Sequence, residues 1–304
     1  MISADIVAHS VSPCDFPIAT MVWEYPRFIH SEVMTHRQLS KNAASSRAIP
    51  AKKVREQVWN RPAMPLSFGA NQSGMQATKD LPSGKQKLSA RLWKAAAKVA
   101  CCFHYGLEKV GVHKQLCNRI LEPWMQMRLV VTGTEWANFL WLRDHKDAQP
   151  EFQLLARKVY EALSTSTPTR LEYGEWHLPF VTEYDRKTLS LDDQKKLSVS
   201  CCAQFSFRAL DRSIKKAYKL DKMLKDGDRL HASPFEHQAQ CVSGRVPSIA
   251  KWQALPLLSG MTHEDRKGYL WSGNLKGWMQ HRQLIWGHNM DNMATYENYL
   301  DEAA

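Results

Sequence analysis

The sequence holds no CxxC pair despite seven cysteines, so the spacing of a zinc ribbon or a thioredoxin-type site is absent. No apolar run approaches the roughly 18 residues of a membrane-spanning helix. The opening MISADIVAHS has no basic n-region and carries Asp5, so no secretory signal is expected. There is no zinc finger, RNP-like stretch or patterned basic helix, which counts against a dedicated nucleic-acid-binding module. Acid is also in short supply: 30 Asp+Glu face 41 Lys+Arg, a formal net charge of +11. That balance favours anionic partners such as nucleic acid, nucleotides or a multiply phosphorylated site, without choosing among them.

What is present is ordinary for a globular chain. The 304 residues are 44% hydrophobic and 23% charged, enough for one large domain or two modest ones. Eleven tryptophans point to a substantial packed core. The cysteines are Cys14, Cys101, Cys102, Cys117, Cys201, Cys202 and Cys241, two adjacent pairs lying inside the apolar stretches Val99–Phe103 and Val199–Phe205. They are expected to be buried free thiols of a reducing cytoplasm.

Along the chain, Phe16–Trp23 reads as a strand and Arg27–Met34 as a short helix. Residues 35–75, rich in Ser, Asn, Pro and Gly, read as loops. Helical periodicity covers 88–110 up to Gly111, and 113–121 reads as a second short helix before Pro123. Asp147–Leu163 reads as a helix with Pro150 in its first turn. Ser164–Thr169 (STSTPT) is linker-like, and Leu191–Arg208 and Asp211–Lys225 read as two further helices. The last 60 residues read as irregular and Trp-rich. The expected class is α+β with helix in excess, arranged as halves 1–163 and 170–304. Thr35-His36-Arg37-Gln38-Leu39 is echoed by Gln280-His281-Arg282-Gln283-Leu284, which fits either coincidence or a partial duplication.

The most informative stretch is Thr35–Pro50. From Arg37 to Arg61 seven Lys or Arg accompany one acid, Glu56, a local charge of +6. Ser40, Asn42, Ser45 and Ser46 are interleaved with it. The planar arginine fork matches phosphate oxygens, serine hydroxyls donate to the same atoms, and Asn reads a ring edge with a donor and an acceptor. No aromatic stands between Arg37 and Val58, as single-strand nucleic-acid binding would favour. A solvated basic loop is the plain alternative.

The spacing His36-Arg37-x-x-Ser40-x-Asn42-x-x-Ser45-x-Arg47 resembles the R-H-R-x-x-S-x-N-E-x-S-x-R signature of the flavin-dependent thymidylate synthases. Six side chains match in register. At about 5% usage per residue type, that register arises by chance on the order of once in 10⁸ starts. Thr35 stands where the family has its first Arg, and Ala43 where it has Glu. Asn138-Phe139-Leu140-Trp141-Leu142-Arg143 with Ala148-Gln149-x-Glu151 is similar to the family's N-F-x-x-L-R…A-Q-x-E. Arg119 resembles the arginine of A-R-x-x-L-P, and His231–His237 (HASPFEH) resembles H-x-[ST]-x-F-E-H. In the family the last stretch precedes the R-H-R motif; here it follows it. The chain thus resembles an enlarged, permuted or partly duplicated relative of a kind associated with bacteriophage, placed in the host cytoplasm.

The resemblance implies a helix-rich fold of the thymidylate-synthase-complementing type around a central mixed or antiparallel sheet. It implies transfer of a one-carbon unit from methylenetetrahydrofolate to C5 of dUMP, with FAD as cofactor, NADPH as reductant and a homotetramer whose sites draw on several subunits. His36, Arg37, Asn138 and Ser233 are then the FAD ligands, and Ser45, Ser46, Arg47 and Arg119 the dUMP phosphate clamp. Arg143 faces the pyrimidine, where a permanently protonated guanidinium stabilises the charge that develops on N3 and O2. A surface ion pair with Asp144 or Asp147 is the alternative for Arg143. No cysteine carries catalysis, no metal is expected, and His231 and His237 read as well as parts of a structural turn. Trp23, Tyr25, Trp59, Trp93, Trp124, Trp136 and Trp141 read as core or interface. Two other readings stay open: a hydroxymethylating enzyme on the same fold, and a basic nucleic-acid-binding relative without flavin.

Overall fold

The computed structural model describes residues 2–205, 210–226, 230–242, 259–289 and 293. They form two compact units, one drawn mainly from Ala19–Thr167, the other from Ala8–Ile18, Pro168–Gln204 and the described residues from Leu210 onward. The fold is α+β, with helix and a mixed sheet, as expected.

In the first unit the chain runs through strands β1 (Ser3–Val11) and β2 (Pro17–Pro26), helix α1 (His30–Met34), strand β3 (Ser40–Ala43) and helices α2 (Ala51–Asn60), α3 (Ser83–Lys109) and α4 (Lys114–Cys117). Strand β4 (Gln126–Gly133) and helices α5 (Trp136–Arg143) and α6 (Pro150–Thr165) complete it. The sheet order is β3-β4-β2-β1, with β4 antiparallel to both of its neighbours. Strand β2 is paired on both edges and nearly all of it is buried, so it reads as an apolar run rather than an alternating one. Met21, Trp23 and Tyr25 of β2 meet Leu129 and Val131 of β4, Phe139 of α5, and Phe152, Leu155 and Val159 of α6 in one core. Val54 and Val58 of α2 pack with Ala97 and Cys101 of α3, Leu121 and Met125 in a second.

Residues 35–75 are not all loop. Ser40–Ala43 is a strand because its backbone completes the ladder along β4, from Ser40 opposite Thr132 to Ala43 opposite Leu129. Ala51–Asn60 is a helix led in by Pro50, with Val54 and Val58 one turn apart on its buried side; the basic composition hides that apolar pair. The helix expected at 113–121 is one turn of α4 followed by a 3₁₀ segment, Asn118–Trp124, that takes in Pro123. Pro150 does open α6. The cysteines are all free, but Cys14 and Cys102 are exposed: Cys102 adjoins the buried Cys101 on α3, and successive helical residues face different ways. Trp59 and Trp141 are also largely exposed, whereas Trp23, Tyr25 and Trp136 belong to the core.

The second unit holds strands β5 (Thr169–Arg170) and β6 (Trp176–His177) and helices α7 (Glu183–Thr188), α8 (Leu191–Phe205) and α9 (Ile214–Lys225). Short strands follow: β7 (Ala239–Cys241), β8 (His263–Glu264), β9 (Leu270–Ser272), β10 (Leu275–Lys276) and β11 (Trp278–Gln280). The described part of the last 60 residues is therefore built on small antiparallel ladders, β10-β9-β8 and β11-β7-β6. The end of β1 pairs in parallel with β5, Ser10 opposite Thr169. Ile18, Leu171, Ala239, Cys241, Leu275 and Trp278 form the core here. Among the described residues no helix is long and apolar enough to cross a membrane.

Two histidines of this unit, His177 and His237, are fully buried. His177 Nδ1 lies 2.9 Å from Ser10 Oγ. Burial pushes both imidazoles down to about 3, and for His177 the charges of Arg186, His9 and His237 add to the effect. A folded-state value below the ordinary 6.5 means that the unfolded chain binds more protons between the two. The associated stability is complete above about 6.5 and is lost as the pH falls toward 3. Each such histidine contributes a slope of up to about 1.4 kcal/mol per pH unit. Thermal unfolding between pH 7.5 and 5, above the carboxylate range, should show the midpoint falling with pH, and His177→Gln should flatten that fall. A midpoint independent of pH across this interval would show that the imidazoles are not held neutral.

Candidate functional site

The turn Thr35–Gln38 collects most of the chemistry of the first unit. Helix α1 stops at Thr35, whose N–H and Oγ1 both donate to the Glu32 carbonyl, at 3.2 and 2.7 Å. Leu39 then dives into the core and the chain enters β3. Gly133, at the end of β4, makes this possible: a Cβ there would stand 2.5 Å from Leu39 Cδ2. Helix α5 follows at once and is fixed by buried Trp136 and Phe139.

Arg143, the last residue of α5, reaches back to the turn. Its Nε donates to His36 Nε2 at 2.5 Å and its Nη2 to Thr35 Oγ1 at 3.1 Å. The guanidinium lies over the Phe152 ring at 4.8 Å. The His36 ring stands edge-on to Phe139 and Phe152, with centroids at 5.1 and 5.7 Å. Burial first, then the charges of Arg143 and Lys41, hold His36 down at about 4. The imidazole is therefore neutral at pH 7, Nε2 carries its lone pair and Nδ1 the proton. In this arrangement His36 accepts from Arg143 and orients its guanidinium. Arg143 does not take the alternative ion pair, since Asp144 is bound by Arg157 Nε at 2.9 Å and Asp147 lies 3.6 Å from His145.

Arg37 and Asn138 are exposed on the same side, and Asn138 Nδ2 donates to Gln38 Oε1 at 3.1 Å. A five-residue step along a helix would separate Asn138 from Arg143 by about 140°. Here both nonetheless reach one turn, because the turn wraps the end of α5. Thr35, Arg37, Gln38, Glu135, Asn138 and Leu142 line a cavity of about 240 Å³.

The other expected ligands gather elsewhere in the unit. Ser45, Arg47, Ala48, His113 and Gln115 line a cavity of about 340 Å³, and the Arg47 N–H donates to Ser45 Oγ at 3.3 Å. The loop beneath is pinned by fully buried Asn118, whose Nδ2 donates to the carbonyls of Ser46 at 2.7 Å and Ile49 at 2.9 Å. His104 Nε2 lies 3.0 Å from Asn118 Oδ1, and its Nδ1 accepts from Arg55 Nη1 at 3.1 Å. Ser46 is buried and its Oγ donates to Glu122 Oε1 at 2.7 Å; Arg119 Nη1 donates to the same oxygen at 3.0 Å. Ser233 belongs to the second unit, where it opens the 3₁₀ turn Ser233–Glu236 over buried Phe235. His231 is exposed and His237 buried.

Three residues escaped the sequence reading. Thr35 was noted only as a missing arginine, yet its hydroxyl bridges Arg143 to α1. Asn118 adjoins Arg119 and carries no motif of its own. Glu122 stands where the A-R-x-x-L-P pattern has leucine, and a charged residue beside Pro123 was the available signal.

The first unit thus combines a mixed sheet, a basic hydroxyl-bearing turn and a guanidinium aimed at that turn. Residues 4–169 match the family model of the thymidylate synthase complementing protein, and the chain belongs to that family. The matched span contains the Thr35–Arg47 and Asn138–Arg143 segments and ends before His231–His237. Solved structures with resemblance include a UMP/dUMP methylase, PolB, from Streptomyces cacaoi bound with 5-Br UMP. It is 18% identical, with TM-score 0.46, over 54% of this chain and 89% of that one. Another is the flavin-dependent thymidylate synthase ThyX from Helicobacter pylori complexed with FAD and dUMP, also 18% identical, with TM-score 0.34, over 48% of this chain and 67% of that one. No curated protein matches the chain.

The Arg143–His36 contact makes a direct prediction. Arg143→Gln removes one of the charges that depress the imidazole while leaving its burial, so the His36 pKa should rise from about 4 but stay below 6.5. An NMR titration of the ring protons, assigned with His36→Gln, reads this. An unchanged value would mean that Arg143 does not act on the ring.

Proposed function

We propose that this protein is a flavin-dependent thymidylate synthase, transferring a one-carbon unit from methylenetetrahydrofolate to C5 of dUMP with NADPH as reductant. The observation that carries the reading is the Arg143 guanidinium, held by His36, Thr35 and Phe152 at the turn that bears Arg37 and accepts a hydrogen bond from Asn138 of α5. Family membership supports an enzyme that acts on this nucleotide.

The donor set fits the anionic part of a flavin nucleotide: Arg37 offers a fork to phosphate oxygens and Asn138 an amide to a ring or ribose edge. The cavity of about 240 Å³ takes a portion of such a molecule and not the whole. Ser233 is proposed as a further ligand of FAD, from the second unit. Bound flavin would supply hydride and take part in the carbon transfer. Ser45 and Arg47 bind the dUMP phosphate at the edge of the 340 Å³ cavity, with Ser46 and Arg119 beside them. Arg143 holds a fixed positive charge where N3 and O2 of the pyrimidine gain electron density as C5 becomes nucleophilic. His36, being neutral, accepts from Arg143 and can keep it in place without adding a second positive charge.

The two groups of ligands flank β4, whose eight residues span about 25 Å. A nucleotide held by its phosphate at one copy's Ser45 loop would then present its ring to the Arg143 turn of another copy. This supports a homo-oligomer, and a tetramer is the proposed state. Production of a hydroxymethyl nucleotide is the second reading, which the Thr35 and Ala43 departures keep open.

Two measurements test the proposal. Titration with FAD should quench flavin fluorescence, and Arg37→Ala should weaken binding by about 1.5–3 kcal/mol, the scale of a charge-assisted hydrogen bond; a protein indifferent to flavin would refute it. Turnover of dUMP to a C5-substituted product should fall roughly 10²–10³-fold in Arg143→Ala. Arg143→Lys should be badly impaired too, because it keeps the charge but loses the fork. Near-normal product from Arg143→Ala would remove it from the mechanism.

A further inference from the structure

Two members of the clamp assigned above to the nucleotide phosphate, Ser46 and Arg119, already close on an anion together with Arg27, and that anion belongs to the chain. One oxygen, Glu122 Oε1, accepts from three donors: Ser46 Oγ at 2.7 Å, Arg27 Nη2 at 2.9 Å and Arg119 Nη1 at 3.0 Å. The donors come from three separate segments: the end of β2, the loop after β3, and the 3₁₀ segment before β4. Convergence of two guanidinium groups and a hydroxyl on a single oxygen is how proteins hold a phosphate oxygen.

The donors are not equivalent. The Arg27 side chain is 13% exposed and Ser46 is buried, whereas the Arg119 side chain is 50% exposed. Ser46 is held in place from below by Asn118 through its carbonyl. Arg119 alone is free to turn outward. Glu122 itself is 22% exposed, so a ligand anion can approach its rim.

We propose that Glu122 is an affinity-setting residue: an internal carboxylate that occupies the clamp and must give up Arg119 before the phosphate of a nucleotide can bind. The inference rests on the reading of Ser45–Arg47 and Arg119 as a phosphate clamp. Without ligand, the carboxylate keeps two neighbouring arginines from repelling each other and holds the Ser46 loop in order. With ligand, its like charge opposes the incoming phosphate. The 5′-phosphate therefore binds more weakly than its donors would allow, while the nucleoside portion is unaffected.

The test compares the full-length wild type with Glu122→Gln, which preserves shape and the acceptor but removes the charge, and with Glu122→Asp, which keeps the charge and withdraws it from Arg119. Calorimetry would give dissociation constants for dUMP and deoxyuridine, and thermal melts would record the shift caused by inorganic phosphate. The expected result is dUMP binding tightened about 10–100-fold in Glu122→Gln, less in Glu122→Asp, with deoxyuridine unchanged and a larger phosphate-induced melting shift than in wild type. Unchanged or weaker dUMP binding in both variants, with melting points near wild type, would overturn the inference and leave the proposed function standing. A larger phosphate shift in Glu122→Gln when no form binds dUMP would support the internal anion and overturn the nucleotide reading. If Glu122→Gln does not fold, Glu122→Asp decides alone: dUMP binding no tighter than wild type would overturn the inference.

Discussion

A neutral, half-buried imidazole set edge-on to two phenylalanines is the constraint on which the first unit turns. His36 cannot hold a proton there at neutral pH, so its Nε2 is an acceptor, and an arginine is the donor that meets it. Charge repulsion would otherwise part His36 and Arg143; desolvation removes it by keeping one partner uncharged. The rings that desolvate His36, Phe139 and Phe152, are core residues packed on Trp23 of β2. The position of the guanidinium is thus fixed by the hydrophobic core, through a contact that has no ionic strength dependence of its own.

The second group of ligands obeys a different logic. Around Ser46 charges of both signs are present, two arginines against the single carboxylate of Glu122, and order comes from the hydrogen bonds between them. Buried Asn118 links this group to His104 of α3 and, through that ring, to Arg55 of α2, so the loop that follows β3 cannot drift without breaking bonds to a helix 27 residues long. One end of β4 therefore holds a preset cation and the other a cation pair that is already occupied. Under the proposed function these ends would suit partners of opposite demands, a ring that gains charge only during reaction and a phosphate charged throughout.

What the sequence made legible follows from how each element is stabilised. The long helix α3 and the Pro150 start of α6 declare themselves by local periodicity and backbone chemistry. Strand β3 does not: Ser40-Lys41-Asn42-Ala43 has no strand pattern and is one only because β4 offers it a ladder. Helix α2 hides behind Lys52, Lys53 and Arg55, its buried side needing only Val54 and Val58. Within the site, spacing singled out His36, Arg37, Asn138 and Arg143, and these meet at one turn. Spacing was silent on protonation, which depends on Phe152, over a hundred positions from His36 in the chain. It was silent on Glu122 as well, since the pattern around Arg119 carried weight only at the arginine.

The departures at Thr35 and Ala43 have unequal physical consequences. Thr35 carries a working hydroxyl, donating to the Glu32 carbonyl and accepting from Arg143, so the chain itself supplies the contact that steadies this arginine. A longer arginine at that position would add a second cation beside Arg143 and make the neutral state of His36 still more necessary. Ala43 sits at the end of β3 opposite Leu129, partly buried against the core. A glutamate there would have to be partly desolvated beside an apolar strand, and alanine removes that cost. Taken together the two changes delete one positive and one negative charge, so the loop keeps its excess of +6. Under the proposed function that excess keeps the loop suited to anions, while the placement of what binds would fall to Arg143, Asn138 and Glu122.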